Sequence, residues 1–219
     1  MSEFRFSYPA CVIAGKSLLT AQDIAILRTI ALPRGVQCET DIVSLLAINN
    51  SCREKCPEWT AYFTAVIADF VLNRLAPRGQ LDDAKAGLVQ RLFATAGLIS
   101  STEELALVLA LIEHAPRAPE SLIAFALDQV RHALQSGQGA YADSRKASAG
   151  INADDLAYIA RVLDAASDDR RDTLSPLAAT VLMAIDSVAV SAFNHAGWSD
   201  LIYALRGPQS ADAPCGIAA

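Results

Sequence analysis

Basic clusters are what this 219-residue sequence most plainly lacks. No run of Lys or Arg occurs, and its densest basic point, Arg170–Arg171, sits among acids. With a formal net charge of −6, the chain offers no basic footprint of the kind nucleic acid requires, so no nucleic-acid partner is expected. Long apolar runs are missing too. The longest, "LALVLALIEH", falls short of a bilayer span and follows Glu103 and Glu104. The opening "MSEFRFSYPACVIAGKSLLT" has no basic start followed by a long apolar run, so no secretory signal is expected. Ser2 stands where N-myristoylation needs Gly, and Cys215 is one place too far from the C-terminus for a prenylation box. These absences lead to the expectation of a cytoplasmic chain without membrane insertion.

Motifs of catalysis are equally scarce. There is no G-x-S-x-G, no phosphate loop and no G-x-G-x-x-G. His114, His132 and His195 are the three histidines, and none sits with a Ser or Cys in a nucleophile pattern. No catalytic residue, no cofactor and no enzymatic role are expected.

What is present is apolar bulk. Hydrophobic residues make up 53% of the chain and charged residues 19%, which suits a sizeable core. The periodicity is helical throughout. Trp59, Tyr62, Phe63, Val66 and Phe70 share one helix face. So do Leu105, Val108, Leu109 and Ile112; then Ile123, Leu127, Val130 and Leu134; then Leu156, Ile159 and Leu163. No run of strict alternation bounded by turn signals occurs, so essentially no sheet is expected. Helix starts are marked by Thr20 with Asp23, Ser101 with Glu104, Ser175 with Pro176, and Asn152 ahead of Asp154 and Asp155. The breaks are "APRGQ" at 76–80 and a long polar stretch at 135–151, expected as a mobile linker. The tail 207–219 has too little apolar bulk to pack and is expected to be disordered.

Internal similarity organises the chain. "SLLAINNS" at 44–51 matches "VLMAIDSV" at 181–188, and each is followed by a Trp with a small hydroxyl residue after it, in "PEWTAYF" and "AGWSDLI". "PESLIAFALDQV" at 119–130 fills the corresponding place between them. The expectation is an all-α fold of three tandem three-helix repeats, about nine helices, packed into one compact body. The repeats span 20–72, 82–134 and 152–206, after an N-terminal segment 1–19.

"NNSCREKCPEW" at 49–59 is the most chemically suggestive stretch. The five Cys are odd in number and irregular in spacing, so free thiols are expected. Cys52 and Cys56 are four apart, not the three of a tight zinc knuckle. They read first as thiols at a helix junction, with Pro57 and Glu58 starting the next helix. The competing readings are a zinc site drawn from Cys38, Cys52, Cys56 and His195 (or His114), and a redox pair whose thiol pKa Arg53 and Lys55 would lower. His114 ends a helix, where a cation suits the dipole. The acids Asp168, Asp169 and Asp172 alternate with Arg170 and Arg171 and read as a charge-balanced loop. Trp59, Tyr62, Phe63 and Phe70 read as core, with a ligand groove as the alternative.

The loop at 92–104 brings in a family. Gly97, Ile99 and Glu103 stand at G-x-I-x-x-x-E spacing, the second half of an EF-hand loop. The positions that would carry the other oxygen ligands are Leu92, Ala94 and Ala96, so Ca²⁺ is not expected. A helix, then Gly-x-Ile-Ser-x-x-Glu, then an apolar helix resembles the tellurite-resistance TerB-like helical domain, and the layout is similar to uncharacterised bacterial three-repeat helical proteins. Gly35 and Asp41 repeat part of that pattern, with Gln37 at the Ile place, while "SDDRRDTLSP" lacks the Gly. In that family an Asp often precedes the Gly and some members are thought to bind metal; here Ala96 and Arg34 fill that place. The resemblance implies an all-α fold and a loose link to stress-response or membrane-associated complexes. Together these readings give a protein-binding module, an adaptor, scaffold or homo-oligomer. A metal-binding or thiol redox-sensing protein is the alternative.

Overall fold

Local capping signals turn into helices where the sequence places them. The computed structural model describes residues 12, 13, 15–166 and 174–206. Thr20 accepts from the Asp23 N–H, and Asp23 accepts from the Thr20 N–H, which starts α1 (Ala21–Ile26). A π-helical turn, Leu27–Ala31, extends it. Then come α2 (Glu39–Ser51), α3 (Glu58–Asp69) with a π-helical turn Phe70–Arg74, and α4 (Asp83–Phe93). Ser101 and Glu104 form the reciprocal box that opens α5 (Thr102–His114). Next are α6 (Glu120–Ser136), the short α7 (Ala140–Ser144) and α8 (Ala153–Ala166). Asn152 and Asp155 exchange the same pair of cap hydrogen bonds ahead of α8. Ser175 caps α9 (Pro176–Val188), with Pro176 in its first turn, and α10 (Ala196–Arg206) follows. The chain is all-α, with ten α-helices among the described residues.

One core runs through these helices, from Ile13 at one end of the chain to Ile202 at the other. Its centre is α6. Leu122, Ile123, Ala126, Leu127 and Val130 are all buried there, and α6 packs on α9, α8, α4, α7 and α5. On the other side of α5, α3 buries Trp59, Phe63 and Ile67 and carries α1 on its flank. Fully burying one such side chain stabilises the fold by about 1.5–3 kcal/mol, so the helical faces rather than helix propensity hold the elements together.

The two segments matched as "SLLAINNS" and "VLMAIDSV" make the same long-range bond. Asn49, near the end of α2, accepts from the Trp59 indole N–H at 2.9 Å. Asp186, aligned with it near the end of α9, accepts from the Trp198 indole N–H at 2.9 Å. Both tryptophans are fully buried, and an indole N–H without an acceptor there would cost about 1–3 kcal/mol. In the middle stretch Ser121 stands where the Trp would be, and its hydroxyl donates to Asp83 instead.

Sheet is confined to two pairs of two-residue strands among the described residues. Strands β1 (Leu18–Leu19) and β2 (Glu54–Lys55) pair in parallel, and β3 (Ala94–Thr95) and β4 (Leu98–Ile99) form an antiparallel hairpin. Two-residue strands are too short to show alternation, so periodicity misses them. The hairpin turn is Ala96–Gly97, with φ of +52° and +82°, the positive pair that a type I′ turn needs. The EF-hand-like half motif is therefore a hairpin. Gln129 of α6 holds it by accepting from the Ile99 N–H and donating to the Gly97 carbonyl. The register of the acids also shifts. Asp41 accepts from the Gln37 and Cys38 N–H groups, the role Glu104 plays for Ser100 and Ser101. The structural match to Asp41 is thus Glu104 rather than Glu103.

The stretch 135–151, expected as a linker, contains α7 and buries Ala140 and Tyr141. Arg145 grips the fully buried Asp155 through Nε and Nη2, each donating to one carboxylate oxygen at 2.8 Å, and also donates to the Ser148 and Gly150 carbonyls. The tail 207–219, the acids Asp168, Asp169 and Asp172, and Cys11 and Cys215 lie outside the described residues.

Candidate functional site

The thiol stretch is built into the junction between α2 and α3. Cys52 is buried, and its thiol donates towards the Ile13 and Lys16 carbonyls at 3.5 and 3.4 Å. Around it, Glu54 N–H reaches the Ser17 carbonyl and Cys56 N–H the Leu19 carbonyl. The connector therefore fastens Ile13, Lys16, Ser17 and Leu19 to the body. Cys38 is exposed at the start of α2, and Cys56 is half-buried. Burial, and then the Glu58 carboxylate beside it, push the Cys56 thiol pKa up. That is opposite to the shift a reactive thiolate needs. Lys55 faces the buried Glu103 at 3.6 Å.

His195 is exposed, and its Nδ1 accepts from the Gly197 N–H. His114 closes α5 with Nδ1 2.7 Å from the Ala110 carbonyl. Among the described residues no three His, Cys, Asp or Glu side chains gather where they could hold a metal ion. Cys38, Cys52, Cys56 and His195 are thus not assembled into such a group.

Surface grooves among the described residues offer other places for a ligand or partner. One, about 630 Å³, lies where α4, α6 and α9 begin; in it Asp82 accepts from the Lys85 N–H and Asp83 from the Ser121 hydroxyl, and Arg117 and Glu120 also line it. A second, about 710 Å³, lies at the start of α2 beside Arg74 and Arg78, and Arg74 is paired with Asp69.

The third groove is different. It holds about 470 Å³ between α3 and the end of α1, lined by Arg28, Leu32, Pro33, Ala61, Tyr62, Ala65 and Val66, with Gly35 and Glu58 at its margins. Ala61 and Ala65 are exposed and four apart, so one small-residue strip of α3 forms the floor. Gly35 has φ +67°, a conformation that side chains resist, and a Cβ there would stand 3.2 Å from the Arg74 guanidinium. Arg28 lies over the Tyr62 ring, 5.5 Å from its centroid. No carboxylate pairs with Arg28 among the described residues. Glu58 is engaged with the Cys56 thiol. Tyr62 is 4% exposed, and its buried hydroxyl has no hydrogen-bond partner among the described residues. Burial pushes that phenol up to about 12, against the pull of the Arg28 charge. At neutral pH it remains an O–H donor without an acceptor.

The sequence singled out Tyr62 by its periodicity, and the structure places it both in the core and on the groove wall. Arg28 carried no motif. Its role comes from α1 packing beside α3, and only its helical position, four residues before the buried Leu32, hinted at that side. Among the described residues no helix is long and apolar enough to cross a membrane. No family model matches the chain, and neither does any curated protein or any solved structure.

Proposed function

We propose that this chain is a non-enzymatic, cytoplasmic, TerB-like helical module of three repeated three-helix units that binds another protein, as an adaptor, a scaffold or a homo-oligomer. The observation that carries this reading is the α1–α3 groove, an open, largely apolar channel bordered by Arg28, Glu58 and Tyr62, in which neither Arg28 nor the Tyr62 hydroxyl has an acceptor among the described residues. A groove between two helices suits an apolar strip of a partner segment, and two alanines on its floor let a backbone approach closely. A stress-response setting is the expectation that comes with the family resemblance. The alternative of zinc or thiol redox sensing by Cys38, Cys52, Cys56 and His195 draws no support from the raised Cys56 pKa or from the placement of Cys52.

The test is photocrosslinking in cells from a benzoylphenylalanine at position 65, with position 22 on the exposed side of α1 as control. A discrete adduct to a second polypeptide from position 65 alone is expected, and an adduct of doubled mass identifies self-association. No adduct from position 65, or the same adducts from both positions, overturns the reading.

A further inference from the structure

We infer that two copies of this chain associate as a closed two-fold pair, in which the free flank of α9 and the groove at its start face their counterparts. This surface shares no residue with the α1–α3 groove, so the pair stands or falls separately from that seat.

α9 has the composition of a central helix and the coverage of an edge helix. Ala178, Leu182 and Ile185 are buried on its inner side. Leu177, Thr180, Val181, Ala184 and Val188 share a flank at i, i+3, i+4, i+7 and i+11. Leu177 is 43% exposed, Thr180 is exposed, and the other three are half-buried. No ionisable side chain stands on that flank. Asp186, the one charge of α9, is taken by the Trp198 indole and Arg206. An apolar helix flank left at the surface marks an interaction site. Aligned on their N-cap residues Cys38, Ser101 and Ser175, helices α2, α5 and α9 correspond. In α5 the same flank holds Glu103 and Leu107, both buried, and α3, α6, α7 and α8 pack around that helix. In α2 it reads Thr40, Val43, Ser44, Ala47 and Ser51, with three hydroxyl residues that suit water.

Two observations point to a second copy as what covers the α9 flank. A head-to-tail chain of copies needs a matching apolar seat on another part of the body, and the corresponding flank of α2 is rich in hydroxyls, so self-association closes through like surfaces. The rim beside α9 also carries both signs of charge. Leu177 lines the groove where α4, α6 and α9 begin, together with Leu81, Pro116 and Pro119, and Arg117 and Glu120 line it too. Neither of those two side chains has an ion pair or hydrogen bond among the described residues, although they stand three positions apart. Across a two-fold axis any residue that meets another is met by it in return. Arg117 of each copy then faces Glu120 of the other, and both charges are paired at once. A uniformly acidic or basic partner would leave one of the two facing its own sign.

Sedimentation equilibrium of the full-length chain over a range of concentrations tests the pair. The weight-average mass is expected to rise from the 23.2 kDa of one chain to twice that and to level there. Leu177→Arg and Thr180→Arg, both at exposed positions, are expected to hold it at one chain, with unchanged urea midpoints in dilute solution as the check that each folds. Arg117→Glu and Glu120→Arg bring like charges together, and each alone is expected to weaken association about tenfold. An equimolar mixture of these two variants is expected to recover the affinity of the parent, because every facing pair is then of opposite sign. A parent that stays at one chain's mass throughout overturns the inference, and that is the outcome if another segment of the chain or a different protein covers the flank. Growth beyond two chains, or association that Leu177→Arg and Thr180→Arg leave intact, overturns it as well. A mixture no tighter than either charge variant alone overturns the two-fold arrangement of Arg117 and Glu120. Crosslinking from position 65 reads the α1–α3 groove and succeeds or fails independently of these results.

Discussion

Asn49 shows how much can rest on one buried amide. Its carbonyl oxygen takes the Trp59 indole N–H, and its amide donates to the Ser101 hydroxyl at 2.9 Å. That hydroxyl also accepts the Glu104 N–H at the start of α5. One side chain thus ties α2, α3 and α5 together. Asn49→Ala strands the indole and part of the α5 cap, and is expected to lower unfolding free energy by about 2–3 kcal/mol. Asn50→Ala, one residue on and exposed, serves as the control, with a change within about 0.5 kcal/mol. Urea denaturation of both variants measures the difference. At the β3–β4 turn the reverse holds. Ala96 sits at φ +52°, where a side chain costs about 1–2 kcal/mol that Gly avoids. After the entropy Gly loses on folding, Ala96→Gly is expected to stabilise the protein by about 0.5–1 kcal/mol. A lower denaturation midpoint for this variant would contradict the turn geometry.

At the scale of elements, the stretch after α6 shows polar contacts doing what apolar bulk does elsewhere. α7 is five residues long, too short to hold itself together. It is held by the Arg145–Asp155 pair, by Tyr141 donating to Asp155 at 2.9 Å, and by the Tyr141–Tyr158 ring contact at 4.5 Å. Val190 and His195 also donate to the Ala149 and Ile151 carbonyls, which closes the same loop against the segment between α9 and α10. Removing Arg145 leaves the fully buried Asp155 charge without its partner. Arg145→Met is therefore expected to cost about 3–5 kcal/mol and to raise amide exchange across 140–151. Lys146→Met breaks only the exposed pair with Asp154, an interaction worth at most about 1 kcal/mol. Equal effects of the two variants would show that the clamp does not hold α7.

The composition of 135–151 is polar and Gly-containing, which reads as a linker because composition reports apolar burial. Its order comes from an ion pair ten residues apart in sequence, and no local pattern marks that. The caps were legible for the opposite reason. Thr20–Asp23, Ser101–Glu104, Asn152–Asp155 and Ser175–Pro176 each act over three residues or fewer, within reach of sequence spacing.

For the molecule as a whole, the buried tyrosines set an upper pH limit. Burial raises Tyr62 to about 12 and raises Tyr141 and Tyr158 as well, with the Asp155 charge adding to the shift at Tyr141. The unfolded phenols ionise near pH 10. Above that pH the unfolded chain releases protons that the folded chain keeps. The stability these groups confer is complete below about pH 10 and falls as pH rises towards the folded values, by up to about 1.4 kcal/mol per pH unit for each phenol. Urea midpoints followed from about pH 9 to 11 are expected to drop steeply, and Tyr62→Phe is expected to flatten the drop by one phenol's share. Below pH 9, Tyr62→Phe leaves stability unchanged or higher, since the hydroxyl it removes has no partner among the described residues. A pH profile identical to the parent's would show that Tyr62 is not shielded from water in the free protein.

The sequence by itself determined the helical class, the helix starts and the apolar faces, because a 3.6-residue period and a cap hydrogen bond span only a few residues. It also matched the segments that carry Asn49 and Asp186, each followed by a Trp, while the Asn49–Trp59 and Asp186–Trp198 bonds themselves are seen only in the structure. Tertiary structure alone decided that Arg28 reaches the Tyr62 ring 34 positions away, that Gln129 holds a hairpin 30 positions upstream, and that Arg145 closes on Asp155. It likewise decided that Cys52 faces backbone carbonyls rather than a metal cluster. Each of these depends on how helices pack across one shared core, a distance in space that sequence separation does not encode.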